Sequence, residues 1–119
     1  MARTVLIVDD DRALVRGFEE LIGRAEYRVL TAHDGAEALL KIKDQLPDIV
    51  VLDVQMPGVH GYSFLFELRK IEGGGNVPVI VLTAHEDMKG VFMAEGVQEY
   101  CLKPCSAQVI LEKIRKYIR

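Results

Sequence analysis

The chain has no basic run: its 15 lysines and arginines are outnumbered by 18 acids, giving a net charge of −3 over 119 residues. That argues against a nucleic-acid-binding surface in this segment, although a detached output domain could still bind DNA. No apolar stretch approaches the roughly 20 residues needed to cross a bilayer. The start, Met1-Ala2-Arg3-Thr4, enters a strand-like run without signal-peptide architecture. The expectation is a soluble, cytoplasmic protein with no membrane partner. Cysteine is scarce, and the spacing of Cys101 and Cys105 matches neither the common zinc motifs nor the thioredoxin motif. The expectation for them is a pair of reduced thiols flanking a turn. There is no internal repeat and no low-complexity tract.

What is present is a 50% hydrophobic composition, enough for one core of ordinary size. Short apolar runs alternate five times with segments of helical period. The predicted strands are about 4–8, 27–31, 48–53, 77–82 and 98–102. Asp11 is a candidate N-cap for a helix that buries Leu14, Phe18, Leu21 and Ile22. Asp34-Gly35-Ala36-Glu37 reads as a capping box before a helix that buries Ala38, Leu39 and Ile42. A third helix carries Phe64, Leu65, Leu68 and Ile71, and Gly73-Gly74-Gly75-Asn76 is a turn. A short fourth helix falls within 86–95, with Gly96 as its C-terminal cap. Ser106 opens the last helix, which turns Ile110, Ile114 and Tyr117 inward. Strands one, three and four are nearly continuous aliphatic runs, as in parallel strands covered on both faces. The predicted fold is α/β, a (βα)5 doubly wound, five-stranded parallel sheet.

Four of those runs end in polar residues. Val5-Leu6-Ile7-Val8 leads into Asp9-Asp10-Asp11, and Ile49-Val50-Val51-Leu52 into Asp53. Val79-Ile80-Val81-Leu82 leads into Thr83, and Glu99-Tyr100-Cys101-Leu102 into Lys103-Pro104. In a parallel sheet these ends meet at one edge, where open α/β sheets bind ligands. Carboxylates about 4 Å apart repel by roughly 4 kcal/mol at an effective dielectric of 20. Such a cluster calls for a cation, and hard oxygen ligands without His or Cys point to magnesium rather than zinc. Asp53 is the candidate nucleophile, because a carboxylate can hold a phosphoryl group as an acyl phosphate. Thr83 can donate to one phosphoryl oxygen, and Lys103 can bring positive charge to another.

On these residues the chain resembles the receiver domain of bacterial two-component response regulators, with a chemotaxis-regulator-like, flavodoxin-like fold. The matching stretches are Val8-Asp9-Asp10-Asp11, His33-Asp34-Gly35-Ala36-Glu37-Ala38-Leu39, Leu52-Asp53-Val54-Gln55-Met56-Pro57-Gly58, Leu82-Thr83-Ala84 and Tyr100-Cys101-Leu102-Lys103-Pro104. Coverage is essentially end to end, so residues 1–119 are expected to form one receiver domain. The resemblance implies strand order 2-1-3-4-5 and a phosphoacceptor at Asp53. It implies Mg²⁺ on Asp10, Asp53 and the backbone carbonyl of Gln55, with Asp9 acting through water. Thr83, Ala84 and Lys103 would hold the phosphoryl group, and Tyr100 would turn inward on activation. A cis bond would precede Pro104. The implied donor is a sensor histidine kinase or phosphotransfer protein. The implied recipients are an output partner or detached output domain, with a phosphorylation-dependent dimer among the expected assemblies. The domain would modify itself without turning over an external substrate.

The chain departs from the family between Thr83 and Lys103, a segment about two residues shorter than usual. Gly90 falls inside the fourth helix at a cost of roughly 1 kcal/mol relative to alanine. Met88, Val91, Phe92 and Met93 are expected to be core, the alternative being a partly exposed docking patch. Gln55 and His85 occupy positions that border the path of hydrolytic water in receivers, so His85 is a candidate modulator of phosphoryl lifetime. His33 and His60 are expected at the surface. Two other functions draw on parts of the same pattern. A receiver-fold binding module without phosphorylation would draw on the altered fourth helix. A phosphatase of the haloacid dehalogenase type would need a second Asp where Gln55 stands.

Overall fold

The computed structural model describes residues 2–54 and 61–119. Five parallel strands, β1 (Thr4–Val8), β2 (Arg28–Ala32), β3 (Ile49–Leu52), β4 (Val79–Thr83) and β5 (Glu99–Leu102), form one sheet in the order 2-1-3-4-5. The helices are α1 (Arg12–Arg24), α2 (Gly35–Asp44), α3 (Gly61–Lys70), α4 (Lys89–Ala94) and α5 (Ala107–Tyr117). The α/β class and strand order are as predicted, with strand ends shifted by one or two residues.

The central strands are aliphatic throughout because both faces of the sheet are covered, and successive side chains serve opposite cores. Leu6, Val8, Val50, Leu52, Val79 and Val81 pack with Ala38 and Ile42 of α2, Phe64, Leu65 and Leu68 of α3, and Phe92 of α4. Their neighbours Val5, Ile7, Ile49, Val51, Ile80 and Leu82 pack with α1 and α5. Val15 of α1 and Leu111 of α5 join that second core, beyond the inward residues expected for those helices.

The helix starts follow the capping signals. Asp11 Oδ1 accepts from the N–H groups of Ala13 and Leu14, each at 3.1 Å. Asp34 Oδ1 accepts from Glu37 N–H at 2.8 Å, and Ser106 Oγ from Val109 N–H at 3.2 Å. The reciprocal half of the box differs from expectation. Glu37 accepts from the N–H of His33, one residue before the cap, at 2.6 Å. The Lys103–Pro104 bond is cis.

Two expectations are corrected. Of the apolar group at α4, only Phe92 is buried, whereas Met88, Val91 and Met93 are 39%, 45% and 42% exposed. A six-residue helix has fewer than two turns, so one side chain reaches the core while neighbours 100° away do not. His33 is half-buried rather than a simple surface residue, and it contacts the turn after β1. Expectations for Gln55, Met56-Pro57-Gly58 and His60 lie outside the described residues.

At the opposite edge of the sheet from the strand C-termini, α5 grips Glu99. The Tyr117 hydroxyl donates to it, and Lys113 and Lys116 reach it at 3.0 and 3.3 Å. The Tyr117 hydrogen bond foremost, with the two lysines and against the effect of burial, holds the Glu99 carboxyl at about 2 instead of 4.5. The folded value is the lower one, so this stabilisation is complete above about pH 4.5 and disappears as pH falls toward about 2. Glu99→Gln is expected to lower stability by about 1–2 kcal/mol at neutral pH, allowing for solvent screening. Denaturant melts of both proteins should converge near the lower end of that window. A loss of equal size at both ends would show that the charge is not the cause.

Candidate functional site

Hydrogen bonds that continue past the strand ends bring the polar residues together. Asp9 N–H donates to Ala32 O at 3.0 Å, and Asp53 N–H to Val8 O at 2.8 Å. Lys103 N–H donates to Thr83 O at 2.7 Å. The β1–β3 register pairs Val8 with Leu52, so Asp9 and Asp53 leave their strands side by side. Thr83 pairs with Leu102 across β4 and β5, which sets Lys103 at the same edge.

The carboxylates of Asp9, Asp10 and Asp53 each offer an oxygen within 4.8 Å of the others. Asp9 and Asp53 are 1% and 4% exposed, while Asp10 is open to solvent. Burying like charges this close is unfavourable unless positive charge is present. Lys103 supplies part of it: its Nζ lies 2.9 Å from Asp9 Oδ2 and 3.6 Å from Asp53 Oδ2. Burial alone would lower the Lys103 ammonium, but the Asp9 contact and the charges of Asp53, Asp9 and Asp11 outweigh it, and the pKa is raised. Lysine therefore stays charged at neutral pH.

One positive charge does not balance three carboxylates. Asp9 Oδ1 is occupied by Asp11 N–H at 2.9 Å. Among the described residues Asp9 Oδ2 has the Lys103 ion pair and no further hydrogen-bond partner. An all-oxygen donor set with a buried oxygen held only by that ion pair fits a hard divalent cation.

Thr83 is fully buried at the end of β4, and its Oγ1 accepts from His85 N–H at 3.3 Å. The His85 carbonyl accepts from the Tyr100 hydroxyl at 2.5 Å. Tyr100 is half-buried, 6.3 Å from the Phe92 ring, which itself meets Tyr62 of α3 edge-on at 5.9 Å. Burial, with the charges of Asp87 and Glu86, raises the Tyr100 hydroxyl. Ala84 and His85 are exposed beside this turn. The strand-end residues Asp9, Asp10, Asp53, Thr83 and Lys103 thus share one edge, as their sequence positions predict. Gln55 lies outside the described residues.

One neighbour of the cluster departs from its expected place at the surface. His33 Nδ1 sits 3.4 Å from the Asp9 carbonyl oxygen, a hydrogen bond formed when Nδ1 carries the proton. His33 follows β2 directly, so the strand-end logic that found the other residues also applied to it.

The family model for the response regulator receiver domain matches residues 5–115. A probable transcriptional regulator, ycf27 of Guillardia theta, is 37% identical over 117 residues, spanning 97% of this chain and 45% of that protein. The chain spans about half the length of the curated relatives it matches. Among solved structures, the Vibrio cholerae chemotaxis protein CheY4 superposes with a TM-score of 0.92 at 28% identity, covering 99% of this chain and all of that one. The Thermotoga maritima response regulator TrrA, solved in complex with Mg(2+)-BeF, gives a TM-score of 0.85 at 28% identity over 98% of this chain and 99% of its own. Family match, strand order and strand-edge acids agree: this chain belongs to the response regulator receiver domains of two-component signalling.

Proposed function

We propose that Asp53 is the residue that accepts the phosphoryl group, in a reaction dependent on a divalent cation, with magnesium as its ordinary occupant. The observation that carries this reading is the meeting of three carboxylates within 4.8 Å with the Lys103 ammonium beside two of them. Asp9, Asp10 and Asp53 would hold the ion, together with the backbone carbonyl of Gln55. When bound, the ion neutralises carboxylate charge and withdraws electron density from a phosphoryl oxygen.

The chain's own residues do the rest. An Asp53 carboxylate oxygen attacks phosphorus, a new O–P bond forms, and the bond to the donor breaks. The leaving group takes that electron pair: imidazole from a phosphohistidine, acetate from acetyl phosphate. No general base is needed, because the attacking group is already an anion. Thr83 donates its hydroxyl hydrogen to one phosphoryl oxygen and Lys103 places charge on another. The Ala84 backbone N–H offers a third donor. Turning the Thr83 hydroxyl toward the phosphoryl group, to which it donates, moves the Oγ1 that now accepts from His85 N–H. That change reaches the segment held by Tyr100 and gives a local route to a two-state response.

The donor in this reading is a sensor histidine kinase or phosphotransfer protein. The response passes to an output domain or separate partner, in keeping with relatives named as transcriptional regulators that are about twice as long. Incubation with acetyl phosphate and Mg²⁺ should add one phosphoryl group by intact mass. Asp53→Asn and excess EDTA should each abolish the gain, and uptake by Asp53→Asn at the wild-type rate would overturn the assignment.

A further inference from the structure

Cys101 lies in β5, and Cys105 follows Pro104 in the turn before α5. Both are free thiols. They sit on the same side of the sheet: Cys101 is part of the core against α1 and α5, and Cys105 packs onto that core from its rim. Burial raises both thiols. Against it, the Lys113 ammonium lowers both, and the contact between the two side chains lowers Cys105 while raising Cys101. Cys105 is the more accessible of the two, and Cys101 is buried. Between them stand Leu102, Lys103 and Pro104, and Lys103 carries the ammonium that touches Asp9 and Asp53.

We propose that Cys101 and Cys105 are a reversible oxidation site: peroxide converts them to an intrachain disulfide, and the bridge draws Lys103 away from the acidic cluster and slows phosphoryl uptake. The second half rests on the Asp53 reading above. The Cys105 thiolate attacks one peroxide oxygen, the O–O bond breaks, and the departing hydroxide takes a proton to become water. The Cys101 thiolate then attacks the sulfur of the Cys105 sulfenic acid and expels a second hydroxide, which is also protonated. Two thiols lose two electrons and two protons, and one peroxide becomes two waters. A dithiol reductant reverses the step.

The coupling follows from where the chain can yield. A disulfide requires sulfurs about 2.05 Å apart with a restricted dihedral, closer than two thiols in contact. Cys101 is fixed by its pairing with Leu82 in the sheet. The adjustment therefore falls on the turn after it, and moving Lys103 breaks its backbone bond to Thr83 O. Because burial keeps both thiols largely protonated, the site responds to sustained oxidant, not to traces.

The test begins with the reduced protein treated with hydrogen peroxide and measured by non-reducing intact mass and peptide mapping. Loss of two hydrogens in a monomer, mapped to a Cys101–Cys105 link and reversed by dithiothreitol, is expected. Cys105→Ser and Cys101→Ala should each abolish it, with circular dichroism confirming that both variants fold. Added oxygen without a link, or a link only between chains, would overturn the site. Oxidised wild type should then take a phosphoryl group from acetyl phosphate about tenfold more slowly, a fraction of the loss expected for removing a charge-stabilising group outright. Peroxide-treated Cys105→Ser should keep the rate of reduced wild type. A formed bridge with unchanged uptake would overturn the coupling alone. Failure of reduced wild type to take up a phosphoryl group would overturn the Asp53 reading and the coupling with it, while the mass measurement still decides the bridge.

Discussion

Lys103→Met is expected to destabilise the metal-free protein at neutral pH by about 2 kcal/mol, below the roughly 3–5 kcal/mol for breaking a fully buried ion pair because the ammonium is partly exposed. The side chain is 22% exposed, whereas the Asp9 and Asp53 side chains it touches are 2% and 5% exposed. Removing the ammonium leaves two adjacent buried carboxylates without the positive charge that lies beside both. Methionine fills a similar volume, so the loss reports charge and not a cavity. Saturating Mg²⁺ should return most of the lost stability: it stabilises the variant more than the wild type, since the ion no longer competes with lysine for Asp9 and Asp53. Thermal melts in EDTA and in Mg²⁺ measure this. A variant as stable as wild type in EDTA would mean that the cluster does not need the charge the geometry assigns to Lys103.

The largest expected loss of stability lies away from the site, at Gly74. A Cβ built there would stand 2.0 Å from the carbonyl oxygen of Leu68. That oxygen belongs to the last turn of α3, and it accepts from Ile71 N–H at 3.2 Å. The neighbouring backbone is also committed. Gly74 N–H donates to Ile71 O at 2.7 Å, and Arg69 Nη1 reaches the carbonyls of Gly74 and Val77 at 2.9 and 2.7 Å. Burial lowers the Arg69 guanidinium from its ordinary value without a compensating anion, so those carbonyls are what holds it. With no side chain free to step aside, the backbone must move and break part of this arrangement. Gly74→Ala should cost about 3 kcal/mol, in the range reserved for named structural faults, and lower the melting temperature by about 10 °C. Gly75 is the internal control: a Cβ there meets nothing within 4 Å. Gly75→Ala should stay within about 0.5 kcal/mol of wild type. Equal effects at the two glycines would show that the contact at Leu68 O relaxes cheaply.

Most of the site was legible because a parallel sheet converts sequence position into spatial position. Asp9, Asp53, Thr83 and Lys103 each follow a buried strand, and the register sets them at one edge. The same rule made His33 findable, since it follows β2; a histidine between a strand and a cap simply carries no acidic or basic signature of its own. Helix four was misread for a different reason. Apolar spacing reports a buried face only when the helix is long enough to have one, and Lys89–Ala94 spends its single inward position on Phe92. Glu37 was predicted to close a capping box on Asp34 but bonds the N–H of His33 instead. The residue types require a cap, and the approach of the preceding chain decides which N–H is within reach. The contact behind the Gly74 prediction has no signal in a Gly-Gly-Gly-Asn turn, because it depends on the path of α3 above it.

The phosphoacceptor assignment is tested most directly by locating the phosphoryl group. The protein is phosphorylated with acetyl phosphate and Mg²⁺, the acyl phosphate is reduced with borohydride, and the digested peptides are sequenced by mass spectrometry. A single reduced aspartate is expected, at Asp53, with Asp9 and Asp10 unmodified. A label on Asp9, Asp10 or any residue outside the strand edge would contradict that assignment.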